Sequence, residues 1–286
     1  MSNFAIEITN LTYTYPATKE PALKNINLQV ETGQLLGIIG ANRSGKSSLA
    51  YTLAGVIPHL YQGEFSGSVC VGELDTREHS VGELVRQIGL VLQHPTHQLS
   101  GARHTVFEEV AFGLENIGVE RKRMKMRVDN ALTQVGLSDF VERSPYQLSG
   151  GQQQRLMIAA ILALAPPILV LDEPTSFLDP QGTAQIFALL AKLRESGHTI
   201  VITSQRLTWL AETADRVVAL ADGKIVMDGT PRDVLASPKL KEIGLRWSRF
   251  TQVGAQAKER GLWDVQTPLP VTFDETVEGL KNANLA

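Results

Sequence analysis

This chain of 286 residues has almost no cysteine and no long hydrophobic segment. Cys70 is its single cysteine, which excludes an intrachain disulfide and fits a reducing compartment. We interpret it as a small buried side chain rather than a reactive thiol. No apolar run reaches the roughly 18 residues that a membrane-spanning helix needs, because Pro166 and Pro167 interrupt the longest candidate, residues 156–171. The chain is therefore expected to be cytosolic unless a membrane partner holds it at the bilayer.

The sequence also lacks a strong excess of charge of one sign and a leader segment. A formal net charge of -3 argues against nonspecific nucleic-acid binding, which needs a broad basic surface. The N-terminus has no basic segment followed by an apolar one, so no secretory signal is expected. The main basic cluster, residues 120–127, is interpreted as the solvated face of a helix, with a contact to membrane headgroups as the alternative.

Strand patterns alternate with helical patterns along most of the chain. Residues 5–15 and 25–30 alternate apolar and polar side chains, and residues 104–160 are mostly helical in pattern. Further strands are predicted at 35–39, 88–92, 167–174, 199–203, 216–220 and 224–229. This order predicts an α/β fold with a largely parallel sheet. The pattern weakens after about residue 240, where two short helices are predicted within 246–263 and 269–280.

A glycine-containing loop follows the buried-strand pattern at 35–39 and precedes a helical one. Residues 40–47 match G-x-x-x-x-G-K-[ST], whose backbone N–H groups and following helix N-terminus bind phosphate oxygens. Lys46 would reach the β- and γ-phosphates of a nucleotide, and the Ser47 hydroxyl would ligate Mg²⁺. The predicted cradle comprises Gly40, Ala41, Asn42, Arg43, Ser44, Gly45, Lys46, Ser47 and Ser48.

Two carboxylates end the strand pattern at 167–174. Asp172 can hold Mg²⁺ directly or through water, and Glu173 can accept a proton from an attacking water. A pair of surface carboxylates at a strand-to-turn junction is the structural alternative, and the phosphate loop in the same chain argues against it.

A second anion-binding pattern lies about 100 residues beyond the first. Ser149, Gly150, Gly151 and Gln152 open an apolar helix, whose N-terminus favours negative charge. Two phosphate-binding devices so far apart in one chain pose a geometric problem. A dimer solves it if each chain offers its Ser-Gly-Gly to the nucleotide that the other holds.

The order of phosphate loop, Gln93, L-S-G-G-Q at 148–152 and L-D-E-P at 171–174 resembles that of ATP-binding cassette (ABC) ATPases. The resemblance covers roughly residues 4–235. It implies an ABC-type P-loop core over 1–238 with an antiparallel N-terminal part and a helical signature subdomain at about 95–160. It also implies that Tyr15 stacks on adenine, that Gln93 contacts Mg²⁺ and moves with the transporter, and that Asp179 belongs to a loop crossing a cassette dimer.

Finer features resemble the energy-coupling ATPases of energy-coupling-factor (ECF) vitamin and metal importers. They lie in residues 11–30, 91–99, 108–119 and 269–280. This resemblance implies a peripheral protein at the cytoplasmic face of the membrane, with ATP and Mg²⁺ as cofactors. It further implies a second cassette, a transmembrane coupling subunit and a membrane substrate-binding subunit as partners, and a small dimerising extension at 239–286. Nucleic acid is not an expected partner.

The sequence departs from the family pattern at two positions near the expected γ-phosphate. Arg43 stands where the family usually has glycine, and it either points outward or reaches the phosphates or the dimer interface. Gln205 stands at the position of the family's usual histidine, unless the alignment slips by one residue to Ser204. Either replacement removes an imidazole that would help to position the attacking water. Glutamine can donate a hydrogen bond to phosphate but cannot carry charge or shuttle a proton.

These departures favour an asymmetric heterodimer, although a homodimer stays open. The chain's own site would bind MgATP and hydrolyse it slowly, with Glu173 and Gln205 as its catalytic residues, while the intact signature motif completes a more active partner site. Two other functions compete with an importer subunit. They are a soluble ABC ATPase of DNA repair or translation, which usually has two fused cassettes or coiled-coil insertions, and a binding-only regulatory cassette.

Overall fold

The computed structural model of the chain describes residues 4–264 and 266–283. Its strands are β1 (Phe4–Thr14), β2 (Leu23–Glu31), β3 (Leu35–Gly40), β4 (Glu64–Val71), β5 (Leu74–Asp75), β6 (Ile88–Val91), β7 (Ile168–Asp172), β8 (Thr199–Thr203), β9 (Arg216–Ala221) and β10 (Lys224–Gly229). Its helices are α1 (Lys46–Leu53), α2 (Val56–His59), α3 (Val81–Leu84), α4 (Val106–Asn116), α5 (Arg121–Gln134), α6 (Gly150–Leu164), α7 (Pro180–Glu195), α8 (Leu207–Thr213), α9 (Pro231–Leu235), α10 (Lys239–Glu242), α11 (Arg249–Glu259) and α12 (Phe273–Ala283).

The strands form two sheets. The smaller sheet has the order β2-β1-β4-β5 and is antiparallel throughout. The larger has the order β10-β9-β3-β8-β7-β6, in which β10 alone runs antiparallel to its neighbour. The predicted α/β class with a largely parallel sheet and an antiparallel N-terminal part is therefore confirmed.

Two hydrophobic cores fix these elements. Apolar residues of β3, β7 and β8 are buried on both faces of the larger sheet, as expected for parallel strands covered on both sides. One core lies between the two sheets around α1, and the other lies under the helices α4 to α8. Each fully buried aliphatic side chain contributes roughly 1.5–3 kcal/mol to such a core.

Between residues 106 and 164, the helices α4, α5 and α6 pack against one another, and α6 also contacts the edge strand β6. Helix α4 begins at a capping box in which Thr105 accepts from the Glu108 backbone N–H, and α6 begins at a similar one at Ser149. The basic residues 121–127 lie largely on the exposed side of α5, so the predicted solvated helix face is present. Contact of this face with a membrane stays a prediction, as does the division of the chain at residue 238.

The C-terminal helices pack onto the rest of the chain. Leu240 and Val271 are fully buried in the core under α4 to α8, and Trp247 packs against it. Arg232, in α9, donates to the Glu275 carboxylate of α12 at 2.6 Å. Residues 265 and 284–286 of the predicted extension lie outside the described residues. No helix among the residues described is both long and apolar enough to cross a membrane.

Candidate nucleotide-binding site

One group of the predicted site residues lies at the carboxyl ends of the parallel strands. The loop of residues 40–48 follows β3, Gln205 follows β8, and Asp172 and Glu173 lie at the end of β7. Gln93 lies two residues beyond β6, which pairs in parallel with β7. Strands β3, β8, β7 and β6 are consecutive neighbours in the sheet. This edge of an open α/β sheet is where such folds bind ligands.

The loop after β3 can form only because glycine occupies two tight positions. A Cβ at Gly40 would lie 2.3 Å from the Ser44 hydroxyl oxygen, and one at Gly45 would lie 2.8 Å from the Ala22 carbonyl oxygen. Gly45 also has a φ of 108°, which L side chains rarely adopt. Helix α1 then begins at Lys46 without a side-chain cap, so its first N–H groups are free to bind an anion.

Ser44 supports the assignment of this loop as a phosphate cradle. Its side-chain oxygen is buried and has no hydrogen-bond partner, which is costly unless a ligand or water supplies one. Lys46 is almost fully buried, and its Nζ donates to the carbonyl oxygens of Gly40 and Ala41 at 3.0 and 3.2 Å. The ammonium group is thereby held at the mouth of the cradle.

Asp172 and Glu173 are oriented by Thr203 on the neighbouring strand. The Thr203 hydroxyl donates to the Asp172 Oδ1 at 2.6 Å and accepts from the Glu173 backbone N–H at 2.9 Å. That N–H also donates to the Thr203 carbonyl oxygen at 3.1 Å. Glu173 has a φ of 46°, a left-handed conformation that costs on the order of 1 kcal/mol in a residue with a Cβ.

The Glu173 carboxylate is buried beside the ammonium group of Lys46. Its Oε1 lies 3.8 Å from the Lys46 Nζ and has no hydrogen-bond partner, and its Oε2 accepts from the Gln205 backbone N–H at 3.3 Å. Burial raises the pKa of Glu173, and the charge of Lys46 and the Gln205 N–H partly offset that rise. A carboxylate with a raised pKa is a stronger base when ionised, as a water-activating group requires.

Gln205 faces the phosphate loop, and Ser204 does not. The Gln205 side-chain Nε2 donates to the Asn42 Oδ1 at 2.9 Å, whereas Ser204 is buried and its hydroxyl accepts from the Arg206 N–H. Of the two candidates for the missing histidine, Gln205 is therefore the one that lies against the cradle. Its catalytic role stays a prediction.

Arg43 is exposed and has a φ of 66°, so the left-handed conformation that glycine usually supplies is present here with a Cβ. It lines a cleft of about 680 Å³ together with Tyr15, Glu20 and residues 44–48. No salt bridge of Arg43 occurs within the described parts of the chain. Its guanidinium group is thus available to a phosphate or to a partner chain.

Tyr15 lines the same cleft, and its stacking on adenine stays a prediction. It is half-buried, and its hydroxyl is 3.1 Å from the hydroxyl of Ser48, the last residue of the predicted cradle. The Tyr13 ring packs edge-on against it with centroids 4.8 Å apart. These contacts fix the ring of Tyr15 at one wall of the cleft.

The signature motif lies in a separate depression of about 380 Å³. Ser149, Gly150, Gly151 and Gln152 line it, together with Phe177, Asp179 and neighbouring residues. Asp179 caps α7 by accepting from the Gly182 N–H at 2.7 Å. The depression shares no lining residue with the cleft at the phosphate loop. The predicted contacts of Ser149 to Gln152 and Asp179 with the nucleotide therefore do not come together in one chain with those of the cradle.

The oxygen donors at this edge suit Mg²⁺ only together with a nucleotide. Ser47, Asp172 and Gln93 offer a hydroxyl, a carboxylate and an amide oxygen, which are the hard ligands that Mg²⁺ prefers. Among the described residues there is no cluster of three His, Cys, Asp or Glu side chains that could hold a metal ion. Phosphate oxygens would complete the coordination, and the bound ion would neutralise charge on the β- and γ-phosphates.

Sequence reasoning missed two residues that position the site. Thr203 orients both acidic residues, and Gly223, in the β9–β10 turn, donates its backbone N–H to the Ser44 carbonyl oxygen at 3.0 Å. A threonine at the end of β8 was visible in the sequence. Its role was not, because the pairing of Asp172 with Thr203 depends on the strand order.

Comparisons of the sequence with known proteins agree with this geometry. The family model described as ABC transporter matches residues 23–176. A protein of Pyrococcus horikoshii, provisionally named as an ABC transporter ATP-binding protein, is 45% identical over 282 residues and covers 98% of each chain. The energy-coupling factor transporter ATP-binding protein EcfA1 of Levilactobacillus brevis is 39% identical over 279 residues, which are 97% of this chain and 96% of the relative.

Solved structures share the fold as well. The cbiO1 protein of Clostridium perfringens, described as part of the ABC transporter complex cbiONQ, superimposes with a TM-score of 0.74 at 29% identity over 90% of this chain and 100% of its own. An ATP-binding cassette solved as a dimer in a post-hydrolysis state with ADP and Pi gives a TM-score of 0.69 at 30% identity, covering 79% of this chain and 98% of its own.

Proposed function

This chain belongs to the ABC transporter family of ATP-binding proteins, and from that membership we propose that it powers an energy-coupling-factor type importer of a micronutrient, a vitamin or a metal ion. Its part is to bind and hydrolyse ATP. The observation that carries the proposal is the convergence of Lys46, Asp172, Glu173 and Gln205 at one sheet edge, beside the buried Ser44 hydroxyl that has no hydrogen-bond partner. The similarity to EcfA1 over nearly the whole chain supports the importer type.

The separation of the two phosphate-binding devices supports a cassette dimer. The cradle opens into one cleft and the signature motif into another, so a single chain offers two half-sites. A second cassette would bring its signature depression over this chain's cradle and its own cradle over Ser149 to Gln152. A similar cassette was solved as a dimer with ADP and Pi.

Within that dimer, this chain's own site is the slower one. The Gln205 side chain donates to Asn42 and offers no proton-shuttling group beside Glu173. The residues that bind MgATP are all present, and the signature motif keeps its Ser-Gly-Gly sequence. We therefore favour a partner cassette of different sequence that carries the more active site.

The partners proposed in the membrane are a transmembrane coupling subunit and a membrane substrate-binding subunit. Nucleotide-driven closure of the cassette dimer would move the segment at Gln93 and so drive the coupling subunit. This places the chain at the cytoplasmic face of the membrane, where ATP is available.

Copurification and turnover test the proposal together. The tagged full chain is expected to purify from detergent-solubilised membranes with a second cassette and an integral membrane protein, and the complex should hydrolyse MgATP. Lys46→Ala should reduce MgATP binding by this chain. Turnover without any membrane partner would instead indicate a soluble ABC ATPase. A complex that binds MgATP but does not hydrolyse it would indicate a regulatory cassette.

A further inference from the structure

An aromatic contact outside the predicted site residues joins two of its loops. The ring centroids of Phe177 and His94 are 4.6 Å apart with an interplanar angle of 34°. The ring of His97 lies 5.0 Å from that of His94. Phe177 is 61% exposed, although it is the apolar member of the group.

The rings of His94 and Phe177 lie in two loops that carry predicted site residues. His94 directly follows Gln93, and Phe177 lies four residues beyond Glu173 and two before Asp179. Strands β6 and β7 pair in parallel with Val91 opposite Leu171, so the two segments leave the sheet side by side. The Phe177–His94 contact is therefore a side-chain contact between the loop that carries Gln93 and the loop that carries Glu173 and Asp179.

Phe177 also reaches the signature depression. It is one of the side chains that line this depression together with Ser149, Gly150 and Gly151. The Phe177 ring packs against His94 on one side and faces the signature depression on the other. It therefore lies between two half-sites. One half-site belongs to this chain's nucleotide, and the other belongs to the nucleotide of the partner.

We propose that Phe177 is a positioning residue that couples the Gln93 loop to the signature depression through its contact with His94. The inference rests on the proposed function. MgATP bound at the cradle fixes the conformation of the Gln93 loop. Through the contact between His94 and Phe177, this conformation in turn constrains residues 175–183. The signature half-site is thereby ordered for the partner's nucleotide. Couplings of this kind change rates by about 3- to 10-fold.

Hydrogen exchange of the isolated chain tests the coupling directly. The measurement uses MgATP at protein concentrations where light scattering shows a monomer, so that interface formation does not contribute. In the natural chain, MgATP should slow amide exchange both in the cradle and in residues 175–183. In His94→Ala and in Phe177→Ala the slowing should persist in the cradle and fall at least about threefold in residues 175–183.

Matched variants separate the ring contact from a general loss of packing. His94→Phe keeps an aromatic ring at this position and should keep the protection. Tyr146→Ala should keep it too, because it removes an equally exposed aromatic ring for which no ring contact with His94 occurs among the described residues. The double variant of His94→Ala and Phe177→Ala should lose no more protection than either single variant, because both remove the same contact.

Turnover of the assembled complex provides a second readout. Phe177→Ala should lower kcat for MgATP about 3- to 10-fold with KM changed less than about twofold, and Phe177→Tyr should restore it. The inference would be overturned if MgATP slowed amide exchange in residues 175–183 of both alanine variants as much as in the natural chain. A natural chain whose cradle is protected by MgATP while residues 175–183 are not would also overturn it. Absence of protection at the cradle itself would instead overturn the proposed function.

Discussion

Glu173 is a buried carboxylate in a left-handed turn, next to the ammonium group of Lys46. The folded chain tolerates it because Thr203 and Gln205 supply three backbone or side-chain hydrogen bonds around it. Burial nevertheless raises its pKa. Its left-handed backbone and the lack of a hydrogen-bond partner at Oε1 both lower stability. A purely structural side chain would not require either feature, which indicates a catalytic role for Glu173.

Glu173→Gln should raise the thermal midpoint of the chain at pH 7 to 8. Because folding raises the pKa of this carboxyl, the unfolded chain releases the proton at a lower pH than the folded chain does. The carboxyl therefore lowers the free energy of unfolding at every pH above the ordinary glutamate range. Glutamine has no such penalty, so the advantage should shrink as pH falls toward that range. Calorimetry at several pH values checks this, with the exposed Glu212→Gln as control. MgATP affinity should stay within about threefold, because the phosphate-binding groups are unchanged.

Gln205→His should speed hydrolysis at this chain's own site about 10- to 100-fold. An imidazole in place of the amide next to Asn42 would restore a group that can shuttle a proton. The measurement needs complexes whose partner cassette carries the inactivating glutamate-to-glutamine change, so that only this site turns over. Gln205→Asn serves as the control that keeps an amide, and an equal gain from it would contradict the role of the imidazole.

Among the elements, α6 begins with two glycines that the fold of the single chain does not require. Its capping box joins Ser149 and Gln152, and the glycines between them have no structural reason in the single chain. A Cβ at Gly150 would meet nothing within 4 Å, and one at Gly151 would lie at an ordinary 3.6 Å from the Leu178 side chain. Space reserved in front of a helix N-terminus fits a phosphate group brought by another chain.

Gly150→Ala and Gly151→Ala should therefore stabilise the isolated chain and impair the assembled complex. Replacing glycine by alanine in a helix gains about 0.5–1 kcal/mol, or roughly 1–4 °C in thermal midpoint for a chain of this size. Turnover of the complex should fall at least about tenfold because the added methyl group occupies the space of the partner's phosphate. Gly82→Ala in α3, where a Cβ would meet only the Ser80 hydroxyl at 3.9 Å, is the control and should not change turnover.

Sequence patterns predicted the elements whose periodicity is strong. The strands β3, β7 and β8 are short apolar runs, and their buried position follows from that pattern. The pattern did not reveal β4, because its residues 64–71 are interrupted by glycine and serine and gain their strand structure from pairing with β1. The same limit applies to the site. The phosphate loop is local in sequence, whereas the contacts of Thr203 with Asp172 and of Phe177 with His94 depend on which strands are neighbours.

At the scale of the whole molecule, the C-terminal extension is part of the packed structure. Leu240 and Val271 contribute to the core under α4 to α8, and Arg232 and Glu275 join α9 to α12. Whether the extension also forms contacts with a second cassette stays a prediction. Its first role is to cover apolar surface of the cassette itself.

Removing residues 239–286 should lower the thermal midpoint by at least about 5 °C. Each buried aliphatic side chain lost from the core costs roughly 2 kcal/mol, which corresponds to several degrees. A chain that ends at residue 264 keeps Leu240 and Trp247 and loses Val271, so its midpoint should fall less. Scanning calorimetry of the three chains checks this order. An unchanged midpoint of the shortest chain would show that the extension does not stabilise the cassette.

The asymmetry of the two nucleotide sites is the central claim. Its most direct test is MgATP turnover of the purified complex with Glu173→Gln in this chain and, separately, with the matching glutamate changed in the partner cassette. The partner's change should abolish nearly all turnover, while Glu173→Gln should leave most of it, because the site with Arg43 and Gln205 contributes little. Equal loss from the two changes, or a complex in which both cassettes are copies of this chain, would contradict the account.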